Sequence, residues 1–577
     1  MMLPPCELAF KGRAAANRCL RGAVTLDALR RVPTTSQRKG ETAGMIIPLE
    51  QLQSEVRKRR TFAIISHPDA GKTTLTEKLL LYGGAIRLAG SVKARRAARY
   101  ATSDWMDIEK QRGISVTTSV MQFEYGGHAV NILDTPGHQD FSEDTYRTLA
   151  AADSAVMLID AAKGVEPQTI KLFHVCRLRG IPIFTFVNKL DREGKDPFAL
   201  MEEIERVLGI RSCPMNWPVG MGSDFKGVYD REQGRVEVFH GGDHGQRQVV
   251  SETSGPEDPR LAKIIGEPLH HKLQEDIQLL DIAGDPWDES RFRRGELTPV
   301  FWGSALTNFG VRPFLEYFLR LAPAPAPRES DKGIVDPEST RFSGFVFKIQ
   351  ANMNPAHRDR SAFVRICSGR FERGMGVRHV RLGKEIKLAQ PQQFMAQERT
   401  IVEEAYAGDI IGIFDPGIFR IGDSLCEGEA IAFDGIPSFS PEHFARVGIR
   451  DAMKSKHFQK GIQQLTEEGA IQVFTPTVPG NQDPILGAVG ELQFEVFQHR
   501  MKAEYGVDVE LTRLPYELAR WVEGDDYQPR LFWSTDHAAV TDKDGRPVVL
   551  FRNEWSARYV IEQRKTLTFK ETAYAMA

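Results

Sequence analysis

Nine residues, SHPDAGKTT (66–74), have the spacing of a phosphate-binding loop, although serine replaces the usual opening glycine. An apolar strand from Phe62 to Ile65 precedes them, and the pattern predicts a helix that opens at Lys72. In such a loop the backbone N–H groups converge on phosphate oxygens at the positive end of the helix dipole. The loop therefore predicts nucleotide contacts from nine consecutive residues, with Lys72 on the β- and γ-phosphates and the Thr73 hydroxyl on Mg²⁺: Ser66, His67, Pro68, Asp69, Ala70, Gly71, Lys72, Thr73 and Thr74.

A second motif, AVNILDTPGHQD (129–140), reads as a buried strand that ends at Asp134. Its position suits a carboxylate that holds Mg²⁺ through water. The residues after it have a backbone that can swing when a γ-phosphate is present. We expect this motif to contact the nucleotide through Asp134, Thr135, Pro136, Gly137 and His138.

A third apolar strand runs into a guanine-type motif, IPIFTFVNKLDRE (181–193). A carboxylate at Asp191 can accept hydrogen bonds from both N1–H and the exocyclic amine of guanine, a pattern that adenine does not offer. The motif thus favours GTP over ATP, with contacts from Asn188, Lys189, Leu190 and Asp191. VFWGSALTNFG (300–310) predicts a last guanine contact through the backbone N–H groups around Ser304 and Ala305.

The composition limits what can surround these motifs. The chain has 577 residues, a net charge of −2 and 41% hydrophobic residues, which predicts about three or four domains. No apolar run approaches the roughly 18 residues that span a bilayer, so we expect no membrane insertion. The cysteines are scattered without a CxxC pair, which indicates a reducing cytoplasm: Cys6, Cys19, Cys176, Cys213, Cys367 and Cys426.

The first 44 residues carry eight Lys or Arg against three Asp or Glu and show little hydrophobic periodicity. We expect residues 1–44 not to fold, either as an over-extended translation start before Met45 or as a disordered tail. An organelle transit peptide is the alternative interpretation.

The remaining chain predicts a multidomain α/β protein. Residues 45–328 are expected to form a P-loop GTPase domain with a mostly parallel sheet and helices on both faces, with an insertion at about 195–300. The insertion contains a predicted hairpin (FKGVYDREQGRVEVF) and an amphipathic helix (LHHKLQEDIQLLDIAG). On that helix His270 and His271 are expected on a solvated face, since no Cys or further His is spaced for a metal site.

A Pro/Ala-rich connector, LAPAPAPRESDKG (321–333), is expected to end the GTPase domain. Short alternating segments predict a β-barrel at 335–432. Residues 437–577 predict an α+β domain, with strand, helix and strand first, and apolar Met453, Phe458 and Ile462 on one side of the helix. ILGAVGELQFEVFQHRMKAEYGVDVEL is expected to follow as turn, helix and strand.

With these motifs and domains in order, the chain resembles the translational GTPases. DIEKQRGISVTTS (107–119) is similar to their switch I, and His138 stands where signalling GTPases carry Gln. The resemblance implies that His138 is catalytic and positions the attacking water on the ribosome, and that Ser115 replaces the usual Thr as a Mg²⁺ ligand beside Thr73 and Asp134. It implies either an apolar gate or simple core packing for Ile114. At position 66 relatives vary, elongation factor G having alanine, and Pro68 stands where relatives have an apolar side chain flanking the histidine.

VGELQFEVFQHRM (489–501) is similar to the class II release factors, and the likeness runs from about Met45 to the end. It implies a ribosome-dependent GTPase that binds GTP or GDP with Mg²⁺ and helps class I peptide chain release factors leave the ribosome. The implied partners are ribosomal RNA and proteins and those factors, for a cytoplasmic monomer that contacts neither DNA nor membrane. The alternatives are another ribosome-associated GTPase of elongation or assembly type, a non-catalytic GTP-binding module, and a GTPase that acts away from translation.

Overall fold

The computed structural model describes residues 48–86, 108–109, 115–239, 248–251, 255–352, 360–388, 391–395, 398–433, 435–477 and 483–574. The expectation for residues 1–44 lies outside these ranges, as does the interpretation of Ile114. From Pro48 onward the chain packs as one unit, so the domain boundaries proposed from the sequence stay predictions.

Eleven strands are found among the described residues before the Pro/Ala-rich connector: β1 (Arg59–Ser66), β2 (Ser119–Tyr125), β3 (His128–Asp134), β4 (Ser154–Asp160), β5 (Ile183–Asn188), β6 (Arg211–Pro214), β7 (Asn216–Val219), β8 (Gly227–Asp230), β9 (Arg235–Phe239), β10 (Gln248–Ser251) and β11 (Leu297–Trp302). Seven of them are neighbours in the order β2-β3-β1-β4-β5-β11-β6, and every pair is parallel except β2 with β3. Because parallel strands end at one edge, the ends of β1, β3 and β5 bring the three motifs together.

Nine helices are described in the same part of the chain: α1 (Leu49–Arg57), α2 (Lys72–Tyr82), α3 (Ser142–Leu149), α4 (Pro167–Leu178), α5 (Pro197–Leu208), α6 (Arg260–Ile265), α7 (Glu267–Ala283), α8 (Glu289–Arg293) and α9 (Val311–Leu321). Side chains of β1 alternate between two cores. Phe62 and Ile64 pack with α2 and α9, whereas Ala63 and Ile65 pack with α4 and α5. The parallel sheet is therefore covered on both faces, as predicted.

The residues expected as an insertion contain the predicted hairpin, because β8 and β9 are antiparallel and continue into a four-stranded sheet, β10-β9-β8-β7. Its amphipathic helix is α7. The expectation of a solvated face holds for His271, whose side chain is 74% exposed, but it is wrong for His270. His270 is buried, and its Nε2 lies 2.8 Å from the carbonyl oxygen of Pro256.

The connector runs without regular structure from Ala322 and ends in a small hairpin, and antiparallel strands follow: β12 (Arg328–Ser330), β13 (Gly333–Val335), β14 (Ser343–Ala351), β15 (Arg360–Ser368), β16 (Arg370–Glu372), β17 (Gly376–His379), β18 (Lys384–Lys387), β19 (Gln392–Met395), β20 (Glu398–Ile401), β21 (Glu404–Tyr406), β22 (Ile410–Phe414) and β23 (Ser424–Cys426). The order β18-β17-β23-β14-β15-β22-β19-β20 agrees with the predicted barrel-like region. One further pair, Met395 with Met121, joins β19 to β2.

The last segment alternates strands and helices: β24 (Pro437–Phe439), β25 (His443–Ile449), α10 (Ser455–Glu467), β26 (Gln472–Pro476), β27 (Ile485–Ala488), α11 (Glu491–Tyr505), β28 (Val509–Leu514), β29 (Leu518–Glu523), β30 (His537–Thr541), β31 (Pro547–Phe551), α12 (Glu554–Gln563), β32 (Thr568–Lys570) and β33 (Thr572–Tyr574). Eight of the strands form one antiparallel sheet, β28-β25-β27-β26-β30-β31-β29-β32. On one of its faces α10 and α11 pack through Phe458, Ile462, Phe494 and Met501.

Two sequence-based details in this segment are wrong. Met453 is 93% exposed, because it lies in a short 3₁₀ turn before α10 and not on the buried face that Phe458 and Ile462 share. The stretch expected as a turn, Ile485–Ala488, is strand β27, paired on both sides with β25 and β26.

Within the described residues, no helix has both the length and the apolar character needed to cross a membrane.

Candidate nucleotide-binding and hydrolysis site

The loop between β1 and α2 has the backbone of a phosphate cradle. Asp69 has φ 65° and Gly71 φ 99°, so the two residues on either side of Ala70 enter the left-handed region. A Cβ on Gly71 would lie 2.3 Å from Asn188 Nδ2, and glycine is therefore required there. Ser66 at the opening position is buried, and its hydroxyl donates to the carbonyl of His67 at 2.9 Å. The Ser66 side chain therefore lies inside the protein and bonds to the backbone just after β1.

Side chains suited to a phosphate and a magnesium ion meet at the start of α2. Thr73 Oγ1 lies 3.4 Å from Ser115 Oγ, and Lys72 Nζ lies 3.3 Å from Asp134 Oδ1. That Lys72–Asp134 contact lacks hydrogen-bond geometry. Both carboxylate oxygens of Asp134 are buried and have no hydrogen-bond partner among the described residues.

These residues fit Mg²⁺, which takes hydroxyl and carboxylate oxygens and keeps several waters. No group of three or more His, Cys, Asp or Glu side chains in the described ranges could hold a metal. A magnesium ion at Thr73, Ser115 and Asp134 would consequently take its other ligands from phosphate and water, which is its usual behaviour at nucleotide sites.

The guanine-type motif is bonded to the phosphate loop. Asn188 Nδ2 donates to the carbonyl of Ala70 at 2.8 Å, and Asn188 Oδ1 accepts from the N–H of Ala305 at 2.9 Å. Lys189 has φ 73° and donates to Asp160 Oδ2 at 2.7 Å and to the carbonyl of Asp69. These bonds fix the loop and the predicted base pocket as one unit.

Asp191 is held by Ser304, whose hydroxyl donates to Asp191 Oδ1 at 2.5 Å. The sequence predicts a backbone N–H contact to guanine around Ser304, but the Ser304 N–H donates to the carbonyl of Phe309 at 2.9 Å, and the contact that the structure shows for Ser304 is this side-chain bond. Asp160 had been missed, although its place at the end of the apolar strand β4 was a usable signal. Burial alone would raise the pKa of Asp160, but Lys189 and nearby backbone N–H groups hold that pKa below its ordinary value.

His138 follows Gly137 at the end of β3 and is 35% exposed at its side chain. A Cβ on Gly137 would lie 3.4 Å from the Cα of Pro68, so the proline closes over the residue before the histidine. The N–H of Asp140 donates to His138 Nδ1 at 3.3 Å, and Asp140 Oδ1 lies 2.9 Å from the same nitrogen.

Some motif residues direct their side chains into the protein. Thr135 is fully buried and its hydroxyl donates to the carbonyl of Ile64 at 2.7 Å. Leu190 and Ala70 are buried in the cores, and His67 Nε2 lies 3.3 Å from Glu166 Oε1. Thr135, Leu190 and Ala70 can therefore offer a nucleotide only their backbone.

Residues far along the chain surround the segment after Ser115. The N–H and hydroxyl of Thr118 each donate to Asp144 Oδ2 at 2.7 Å, while Lys348 Nζ donates to the carbonyl of Thr118. Burial lowers the pKa of Lys348 although Asp144 and Glu109 oppose that change. Burial alone would raise the pKa of Asp144, but Lys348, Arg147 and Thr118 hold it below its ordinary value.

The last segment also reaches this region. Arg147 donates from its guanidinium to the carbonyls of Glu468 and Gly469 at 3.1 and 2.9 Å. A Cβ on Gly469 would lie 2.1 Å from Arg147 Nη1, so this glycine makes room for the guanidinium. Sequence reasoning missed both Lys348 and Arg147, which carry no motif.

Family models match three successive parts of the chain. Residues 57–324 match the Elongation factor Tu GTP binding domain, residues 341–428 match Elongation factor G domain 2, and residues 433–561 match the Class II release factor RF3, C-terminal domain. A solved structure from Thermus thermophilus aligns over 82% of this chain and 71% of its own, with a TM-score of 0.65 and 24% identity. That likeness and the family models confirm the predicted fold class.

Two curated relatives cover nearly their whole length. "Peptide chain release factor 3" of Symbiobacterium thermophilum is 77% identical over 527 residues, which is 91% of this chain and 100% of the relative. The protein of the same name from Rippkaea orientalis is 55% identical over 91% of this chain and 97% of its own. The chain belongs to the peptide chain release factor 3 family, the GTPases of translation termination.

Proposed function

We propose that this chain is a ribosome-stimulated GTPase that promotes departure of class I peptide chain release factors after the peptide has been freed. The observation that carries the proposal is the meeting of a guanine-type motif and a phosphate loop at one sheet edge, with Asn188 Nδ2 2.8 Å from the carbonyl of Ala70. The match of residues 433–561 to a class II release factor domain supports the place in termination. We further propose that it acts in the cytoplasm as a monomer.

Base recognition falls to Asp191. Its Oδ1 accepts from Ser304, and this bond holds the carboxylate in place. The two carboxylate oxygens together would accept from the ring N–H and the exocyclic amine of guanine. Asn188, Lys189, Leu190 and the N–H groups near Ala305 complete the wall of this pocket.

The phosphate chain would lie over residues 66–74, where backbone N–H groups and the N-terminus of α2 favour negative charge. Lys72 Nζ, now near Asp134, is the cation that can move onto the β- and γ-phosphates. Mg²⁺ held by Thr73, Ser115 and, through water, Asp134 would neutralise the charge that develops on the phosphate oxygens.

Hydrolysis needs no protein nucleophile. A water oxygen bonds to the γ-phosphorus as the bond to the β–γ bridging oxygen breaks, and the water protons pass to phosphate and solvent. His138 orients that water, Lys72 stabilises the transferred group, and the backbone at Pro136 and Gly137 follows the γ-phosphate.

The test is the departure of a labelled class I factor from post-release ribosomes. We expect GTP with this chain to accelerate departure, and His138→Ala to keep GTP affinity within a few-fold while losing most ribosome-stimulated turnover. Normal GTP hydrolysis without faster departure would favour another ribosomal GTPase role. Unchanged turnover in His138→Ala would remove the catalytic assignment.

A further inference from the structure

Helix α11 begins against the segment that carries His138. Its N-cap residue is Gly490, which has no side chain to accept hydrogen bonds from the N–H groups of the first turn. Asp140 supplies the missing acceptor, since its Oδ2 accepts from the N–H of Leu492 at 2.8 Å. The two residues are 352 positions apart in the chain, so this helix is capped from a different segment.

Glycine at 490 is what makes this contact possible. A Cβ there would lie 2.1 Å from Asp140 Cγ and within 2.4 Å of both carboxylate oxygens. The carboxylate therefore sits in the space that an ordinary N-cap side chain would fill.

Apolar contacts hold the same end of the helix in place. Val496 of α11 packs in a buried cluster with Ile108, Val116 and Phe141, and Leu492 packs against it. Phe141 follows Asp140 directly. The first turns of α11 thus rest on both chain segments that flank the nucleotide site.

The other side of Asp140 faces the histidine. Its Oδ1 lies 2.9 Å from His138 Nδ1 and can accept from that nitrogen when the proton is on Nδ1. In the other tautomer Nδ1 accepts instead from the backbone N–H of Asp140 at 3.3 Å. Orientation of the ring by the carboxylate requires the first tautomer. Nε2 is then the ring nitrogen left to meet a water. A catalytic side chain whose orientation is set by a third group is a common arrangement in hydrolytic sites.

We propose that Asp140 is a positioning residue that orients His138 for the attacking water while α11 holds its carboxylate, so that the last segment of the chain takes part in hydrolysis. This inference rests on the role proposed above for His138. It assigns to the first turn of α11 a task in catalysis besides its place in the fold.

The test separates capping from orientation by moving the cap. Asp140→Ala removes both, whereas Asp140→Ala with Gly490→Ser returns a cap to α11 from its own chain, in space that the first change has emptied. We expect ribosome-stimulated kcat to fall at least about tenfold in both variants, with KM for GTP within about twofold. Amide hydrogen exchange in α11 should return to the wild-type rate only in the double variant. Asp140→Asn keeps an acceptor for Leu492 and serves if Asp140→Ala does not fold; its kcat should fall as well.

A cycle with the histidine tests whether Asp140 acts through it. Adding Asp140→Ala to His138→Ala should cause no further loss of kcat, because the group being oriented is already gone. Asp525→Ala, which removes an exposed carboxylate of the last segment, is the matched control and should keep the wild-type rate.

Wild-type kcat in Asp140→Ala, or recovery of kcat when the cap is restored, would overturn the inference and leave Asp140 a structural cap. If His138→Ala itself keeps full turnover, the proposed role of His138 fails first and the inference falls with it. The two failures are therefore distinguished by the His138→Ala measurement alone.

Discussion

The base side and the switch side of the nucleotide site differ in how far apart in the sequence their bonded residues are. On the base side, Asn188, Lys189 and Asp191 bond to the phosphate loop and to residues 304–305, all within the parallel-sheet region. On the switch side, Thr118 and Asp140 bond to Lys348 and Leu492, which belong to later segments. Guanine recognition can therefore be preformed within the parallel-sheet region, whereas the geometry of the switch side depends on how the later segments pack against it.

The largest expected change in stability comes from a substitution on the switch side. Lys348→Met leaves the buried Asp144 carboxylate without its main cationic partner and should lower the free energy of unfolding by about 3–5 kcal/mol. GDP affinity should stay within about twofold, because the base side is bonded separately. Denaturant unfolding and nucleotide titration measure the two quantities.

The control for Lys348 removes both charges together. Lys348→Met with Asp144→Leu should regain part of the lost stability, because the buried carboxylate is removed although the N–H and hydroxyl of Thr118 lose their acceptor. A loss below about 1 kcal/mol in the single variant would contradict a structural role for this pair.

A substitution on the base side should have a smaller effect, on nucleotide preference. Asp191→Asn should move preference from GTP towards xanthosine triphosphate by about a hundredfold, or about 2.7 kcal/mol. Ser304 would hold the amide oxygen, so that the amide N–H₂ meets the 2-oxo group where guanine has its amine. Competition binding with the two nucleotides measures the shift, and intact GTP preference would show that the pocket is misplaced.

Low pH should change the stability difference between wild type and Lys348→Met by a smaller amount. The pKa of Asp144 is lower in the folded chain than in the unfolded one. Its contribution to stability is therefore present above the ordinary Asp pKa of about 4 and is lost as the pH falls from there through the lower pKa of the folded state. The stability gap between wild type and Lys348→Met should therefore narrow on acidification. Melting temperatures of both proteins across this range measure it, and a gap that is independent of pH would argue against the interaction between these two charges.

The smallest effect is expected at an exposed pair outside both sides. Arg293 and Glu289 lie 2.7 Å apart on α8, with both side chains more than half exposed. Glu289→Ala should change the free energy of unfolding by no more than about 0.5 kcal/mol. A larger change would mean that charge alone, without burial, governs the differences above.

The sequence predicted the base side better than the switch side for a physical reason. Motif residues that follow apolar strands must meet at one edge of a parallel sheet, so Asn188 and Asp191 could be placed beside the phosphate loop from local pattern. The bond from Asp140 to Leu492 crosses 352 positions and that from Lys348 to Thr118 crosses 230. No local periodicity carries such pairings.

Smaller misses have the same origin. His270 is expected on a solvated face because no metal-site spacing surrounds it, and Met453 is expected on the apolar side of a helix, but burial is decided by what packs there. Pro256 covers His270, whereas Met453 stays exposed in the turn before α10 begins. Ile485–Ala488 opens a stretch that is expected as turn, helix and strand, and its pairing with two neighbouring strands makes it a strand.

Gly469 and Gly490 of the last segment each leave a hollow that a charged side chain of the first segment fills, Arg147 in one and Asp140 in the other. A side chain at either glycine would displace the charged partner. These two glycines and their partners therefore determine how two distant parts of the chain can pack against each other. Chimeras that exchange the last segment between relatives should work only when both glycines come with it. Across related sequences, a substitution at 490 should accompany the loss of the carboxylate at 140.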